Sequence, residues 1–134
     1  MEEALVARLR ADASIAALVA TVNSRPAVDW MERPESLPAV TLQDVSAGRN
    51  YAHSGAVGLD NPMVQIDCWA ESYGEAKVLA RAVIAEMEGA ATVSGIAFEH
   101  AFLAASRAMD PEDLGGGIKV FRQSLDFNVR FNPA

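Results

Sequence analysis

The chain has 134 residues, a single cysteine and a formal net charge of −7. This length predicts one domain over residues 1–134, large enough to fold without a disulfide or a metal. A single cysteine excludes a disulfide-rich secreted scaffold, and 18 acidic against 11 basic residues disfavour nonspecific binding to nucleic acid or anionic lipid. We therefore expect an acidic protein of a reducing compartment that has no membrane partner.

The first predicted elements are two helices followed by a proline-led strand. Leu5 and Leu9 recur at helical spacing, and Arg8 lies off their apolar stripe. A shorter second helix follows and ends before a stretch with three prolines, which predicts an irregular connector. Pro38 then leads into a strand over residues 39–45, because proline is tolerated where a strand begins.

The clearest local signal is a strand that runs into a helix. Residues 63–70 alternate, with Cys68 on the apolar side and Trp69 on the opposite side. Ser72 and Glu75 have the spacing of a capping box, which predicts a helix from there to about Glu88. Its apolar stripe comprises Ala76, Leu79, Ala80, Val83 and Met87.

The C-terminal third carries mixed signals. Residues 101–109 are rich in alanine and fit either a helix or a strand. The acidic and glycine-rich residues 110–117 predict a turn, and residues 118–131 alternate as a long strand, with a bulge or a change of burial near Arg122. A strand of this length next to a turn predicts residues 96–109 as its hairpin partner.

Between the proline-led strand and the strand at 63–70, residues 46–62 contain three glycines and show little periodicity. This stretch predicts a long loop or a poorly ordered hairpin tip, and loops of that length are usually functional or disordered. The order of elements is α, β, β, α, β, β. It predicts an α+β domain with an antiparallel sheet of about four strands and helices packed on one face.

Few residues suggest chemistry. His100 follows Glu99 on a presumed strand and could serve as a general base, but a surface or interface role is favoured. Asp110, Glu112 and Asp113 resemble a loose cation site without the spacing of a calcium-binding loop, so a solvated turn is favoured. The sequence therefore predicts no enzyme, no cofactor and no metal site.

Features of protein interfaces outnumber features of active sites. Trp69 points away from the side of its strand that carries Cys68, so either helices cover it or it lies in a protein interface, where tryptophan is enriched. A long irregular segment and a long terminal strand that outruns its domain also suit contacts with neighbours. The buried side of the strand is the expected place of the Cys68 thiol.

Four stretches together carry a family resemblance. The most specific is VQIDCWAESYGEAK, residues 64–77, where a strand passes into a helix. The others are the opening helices over 5–19, the proline-led strand at 37–42 and the terminal strand at 124–129. In this order they resemble the short tail-completion or tail-terminator proteins of siphophages and gene transfer agents. Cys68 stands where that family commonly has valine or a similar apolar residue.

The resemblance implies an α+β virion protein of the tail and neck, assembled in the host bacterial cytoplasm. Such proteins form a six-fold ring that caps the tail tube, ends tube polymerisation and joins the tail to the head-side connector. The implied partners are other copies of the chain, the tail tube protein and the connector or stopper protein, while DNA passes through the lumen without specific binding.

Loops that become ordered on contact suit this role. One such segment is predicted at 48–61 and a second at 109–117. The predicted interface residues are Arg49, Tyr51, His53, Trp69, Asp110, Glu112 and Asp113. Two alternatives remain open: another neck or minor tail component, or a small α+β enzyme or ligand-binding domain that uses His100 and Glu99.

Overall fold

The computed structural model describes residues 2–22, 24–30, 36–46, 49–52, 55–60, 63–93, 95–115 and 118–133. The helices within these ranges are α1 (Glu2–Ala11), α2 (Ala13–Leu18) and α3 (Tyr73–Met87). The strands are β1 (Thr21–Val22), β2 (Arg25–Pro26), β3 (Val28–Trp30), β4 (Ala39–Ser46), β5 (Arg49–Ala52), β6 (Gly55–Asp60), β7 (Met63–Ala70), β8 (Ala91–Val93), β9 (Ile96–Phe98), β10 (Phe102–Gly115), β11 (Ile118–Asn128) and β12 (Phe131–Pro133). In these ranges the helices are all too short or too polar to cross a membrane.

The main sheet has five strands in the order β10-β11-β7-β4-β3. Adjacent strands in this sheet are antiparallel, except that β3 and β4 run parallel, with Val28 opposite Val40. The α+β class is confirmed, but the prediction of about four antiparallel strands is wrong in its details. The fifth strand, β3, lies in the proline-rich stretch expected to be an irregular connector, where three residues are enough to pair with β4.

Helices cover one face of this sheet. The five predicted stripe residues of α3 are all buried, and the helix contacts β7 and β11. Leu5 and Leu9 of α1 join the same core as Ile66 of β7 and Phe127 of β11. Alternation along β7 therefore sends Ile66 and Cys68 towards the helices, as the sequence predicts.

A second antiparallel sheet has the order β5-β6-β12-β9-β8. Its β5–β6 hairpin occupies most of residues 46–62, so that stretch pairs as a hairpin and the long-loop alternative is wrong. The strand expected to continue to 131 instead ends at Asn128, and the chain resumes as β12, where Phe131 pairs with Phe98 and Asp60. Residues 96–98 consequently pair with β12 and do not belong to the partner of β11.

The hairpin of β10 and β11 settles one open alternative and corrects one expectation. Residues 102–109 are strand, and the β10 strand continues through the acidic residues that composition assigns to a turn. Glu112 pairs with Val120, and Asp113 pairs with Lys119, because the ladder with β11 stabilises extended backbone despite turn-forming residues. The irregularity expected near Arg122 lies in β10, between Met109 and Glu112, while the β11–β7 register is unbroken.

Candidate interaction surfaces

The face of the main sheet opposite the helices is lined by polar side chains. The register places Thr41, Asp67 and Ser124 side by side on this face, next to alternating residues of β10 and β11. We call this surface the polar face. Its members are Thr41, Gln65, Asp67, Trp69, Arg107, Arg122, Ser124 and Asp126.

Trp69 lies near one end of the polar face and is held by its neighbours. Its indole Nε1–H donates a hydrogen bond to the Thr41 hydroxyl at 2.9 Å. The Arg122 guanidinium stacks 4.9 Å from the centroid of the indole ring, a cation–π distance. Trp69 is 9% exposed, so neighbours within the chain already cover most of its indole, and its place in a protein interface stays a prediction.

Two ion pairs run across the same face. Arg122 lies 3.5 Å from a carboxylate oxygen of Asp67, which also accepts from the Gln65 amide at 3.1 Å. Arg107 pairs with Asp126 at 2.9 Å, and this hydrogen bond raises the pKa of the Arg107 guanidinium. The polar face therefore carries charges of both signs in fixed positions.

Some hydrogen-bonding capacity on the polar face is unused. Ser124 Oγ and the second carboxylate oxygen of Asp126 are buried and have no hydrogen-bond partner among the described residues. Buried polar atoms are nearly always paired in native proteins. Both oxygens are closed off from the protein surface, so among the described residues they are unsatisfied polar atoms in the interior of the sheet face.

The predicted contact segments leave the main sheet at opposite ends. Ser46 of β4 pairs with Met63, so the β5–β6 hairpin departs from what we call the Met63 end. Beyond the pair of Phe121 with Ala70, the β10–β11 hairpin continues alone past the other end, the Ala70 end. Arg49 and Tyr51 belong to β5, His53 lies outside the described residues, and Asp110, Glu112 and Asp113 are exposed on β10.

The residues of the enzyme alternative occupy a turn-like connection. His100 and Glu99 are exposed between β9 and β10, so the prediction that His100 lies on a strand is wrong. The His100 Nδ1–H donates to the backbone carbonyl of Glu88 at the end of α3, and the Glu99 amide donates to the Arg130 carbonyl. These bonds give His100 a role in closing the helix end.

Among the described residues, the cysteine and the carboxylates show no reactive arrangement. Cys68 is fully buried in the core, and burial raises the pKa of its thiol well above the ordinary value, so the thiol stays protonated. Within the ranges given above, no cluster of three or more histidine, cysteine, aspartate or glutamate side chains could hold a metal ion.

Sequence reasoning missed one buried charge. Arg8 is 3% exposed, and it binds the Glu86 carboxylate at 2.9 Å and the Gly89 carbonyl at 2.7 Å. Its guanidinium also lies 5.5 Å from the ring centroid of Phe98. The contact joins α1 to the C-terminal end of α3, where the helix dipole favours a cation. No signal local to α1 reveals a partner 78 residues away.

These features define a small α+β protein whose distinctive surfaces are a polar sheet face and the two ends of a sheet. The family model described as tail completion protein gp17 matches residues 3–132, which is nearly the whole chain. The chain belongs to this family of structural virion proteins of phage-type tails, and the resemblance that the sequence suggests is confirmed.

Comparison with solved structures agrees on the fold. A chain from the structure titled "Virion of native gene transfer agent (GTA) particle" is 23% identical, with a TM-score of 0.63 over 98% of this chain and 94% of its own. A second solved chain is 17% identical over 99% of this chain and 92% of its own, and its TM-score of 0.42 carries no argument. None of the curated proteins matches significantly.

Proposed function

We propose that this chain is a tail-terminator subunit that acts without a catalytic step. Six copies form a ring on the end of the tail tube, stop tube polymerisation and join the tail to the head-side connector. The observation that carries this proposal is the tail-completion family match over residues 3–132. The protein assembles in the host cytoplasm and becomes part of the virion.

The two faces of the main sheet support a subunit with different partners on its two sides. A terminator meets the tube on one side and the connector on the other, so it needs two chemically unlike surfaces. One face of this sheet is covered by helices, and the other is the polar face with buried oxygens that lack donors among the described residues.

The net charge supports free passage of DNA. With 18 acidic and 11 basic residues per chain, a ring of six copies has a strongly negative total charge. Nonspecific binding to DNA depends on cations that neutralise phosphates, so an acidic ring does not hold the duplex. The predicted contact residues are part of the proposal: Arg49 and Tyr51 of β5, His53, which lies outside the described residues, Asp110, Glu112 and Asp113 of β10, and Trp69 on the polar face.

Deletion of the gene in the phage or transfer agent that carries it tests this function. We expect electron micrographs to show tail tubes of uncontrolled length that are not joined to heads, and wild-type protein to restore normal particles. A His100→Ala protein should restore them equally, because no catalysis is required. Tails of normal length that are joined to heads would show that the chain is a different tail component.

A further inference from the structure

An apolar groove opens at the Ala70 end of the main sheet. It lies between α2 and the first turns of α3, and its volume is about 370 Å³. The groove is lined by Ala17, Leu18, Pro38, Gly74, Glu75 and Val78. Val78 is 46% exposed, which is unusual for an aliphatic side chain beside a well-formed core. Water in such a groove contacts mostly apolar atoms, so covering it is favourable.

An exposed aromatic side chain lies at the Met63 end. Phe102, the first residue of β10, is 57% exposed. The Arg130 guanidinium lies 5.3 Å from the centroid of its ring and is itself exposed. Among the described residues, the exposed large apolar side chains are Phe102, Val78 and Tyr73, and Tyr73 precedes Gly74 of the groove. Within the part of the chain whose burial is described, the large exposed apolar side chains thus lie at two places: Phe102, which we call the projection, and the groove.

The projection and the groove lie at opposite ends of the same sheet. Phe102 pairs with Asn128, which pairs with Met63, whereas Pro38 and Gly74 lie next to the Ala39–Trp69 pair and Ala70. Met63 and Ala70 are seven steps apart along β7, which is about 23 Å of strand. The projection of one chain therefore cannot reach its own groove, but it can reach the groove of a second copy.

The distribution of charge also favours a second copy of the chain as the molecule that occupies the groove. Glu75 is exposed and lines the groove, whereas Arg130 accompanies Phe102. Insertion of the Phe102 ring into the groove of another copy would bring a cation towards a carboxylate at the rim, where electrostatic complementarity fixes the orientation. A contact between two different patches is heterologous, and repetition of such a contact generates rings or filaments.

We infer that copies of this chain associate head to tail, with Phe102 and Arg130 of one copy seated in the groove of Val78 and Glu75 of the next. The inference rests on the proposed ring and names the contact that closes it. The same contact places the Met63 end of one copy, with its β5–β6 hairpin, beside the Ala70 end of the next copy, with the acidic part of its β10.

Thiol cross-linking tests the contact directly. A chain that carries both Glu99→Cys, beside Phe102, and Ala17→Cys, in the lining of the groove, keeps the contact residues and is treated with a short bismaleimide, either free at high concentration or bound to purified tail tubes. We expect a ladder up to six chains, whereas each single variant gives no product beyond a dimer. The matched control is Glu99→Cys with Thr92→Cys, an exposed position on β8. Cys68 is buried and should not react. A ladder no stronger than that of the control overturns the contact.

A charge exchange provides the second test. Arg130→Glu places two acids at the junction and should weaken self-association about tenfold by sedimentation or light scattering. Glu75→Arg in the same chain should restore it to within about threefold. A ring that forms equally well with Phe102→Glu, Val78→Glu or Arg130→Glu contradicts the contact but leaves the proposed function intact. A wild-type chain that is monomeric both free and on tail tubes contradicts the ring itself.

Discussion

Removal of the buried guanidinium of Arg8 tests how the helices are held together. Arg8→Met keeps an apolar stem of similar length within the core but removes every donor. The Glu86 carboxylate then loses its cation, and the carbonyls of Glu86 and Gly89 lose their hydrogen bonds. These groups lie at the C-terminal end of α3, so the loss is concentrated where the helix dipole is negative.

The expected cost is about 3 kcal/mol. Breaking a buried ion pair by removing one partner costs about 3–5 kcal/mol. The Glu86 side chain is 29% exposed, so its carboxylate regains some hydration when the guanidinium is removed. The expected cost therefore lies at the lower limit of this range. A small domain is stable by only about 5–15 kcal/mol, so Arg8→Met should be one of the most destabilising single changes in α1.

Urea unfolding followed by circular dichroism measures this difference. The matched control is Arg10→Met on the same helix, which removes a more exposed pair with Asp29 at 2.8 Å and one hydrogen bond to the Val28 carbonyl at 2.9 Å, and should cost about 1–2 kcal/mol. A cost for Arg8→Met no greater than that for Arg10→Met would refute the assignment of Arg8 as a buried link between α1 and α3.

Three further predictions concern stability and reactivity. Cys68 should resist alkylation in the native protein and react in urea. Because burial raises the pKa of the thiol in the folded state, the free energy of unfolding should be constant below the unfolded thiol pKa of about 8.5 and should fall as the pH rises above it. Cys68→Ala should abolish this fall. Ser72→Ala removes the acceptor of the Glu75 amide and should cost about 1 kcal/mol in urea unfolding, whereas Ser72→Asp should cost little. Thr41→Val removes the acceptor of the Trp69 indole and should cost about 1–2 kcal/mol, and an unchanged urea midpoint would show that this bond contributes nothing.

Local signals predict the central part of the fold. The alternation over 63–70 and the Ser72 cap describe β7 and α3 almost to the residue, because strand period, helix cap and apolar stripe all agree there. Trp69 is correctly placed opposite Cys68 for the same reason. The most specific part of the family resemblance, residues 64–77, lies in this same segment.

Pairings between distant residues are not visible in local patterns. The acidic residues near 110 favour a turn by composition, but the ladder with β11 holds them in a strand. The glycines of 46–62 interrupt the alternation that would predict the β5–β6 hairpin. The strand that pairs with β6 outside this hairpin, β12, is far along the chain. Arg8 lies off the apolar stripe of α1, and its burial depends on the end of α3. These features depend on contacts that form only in the tertiary structure.

Counting and locating the protein in intact particles tests the central claim most directly. Quantitative mass spectrometry of purified particles, combined with electron microscopy of a tagged chain, gives its copy number and position. The account predicts six copies per particle, all at the end of the tail that meets the head, and the same number in variants with longer tails. A copy number that scales with tail length, or label at the distal tip, would contradict a terminator ring.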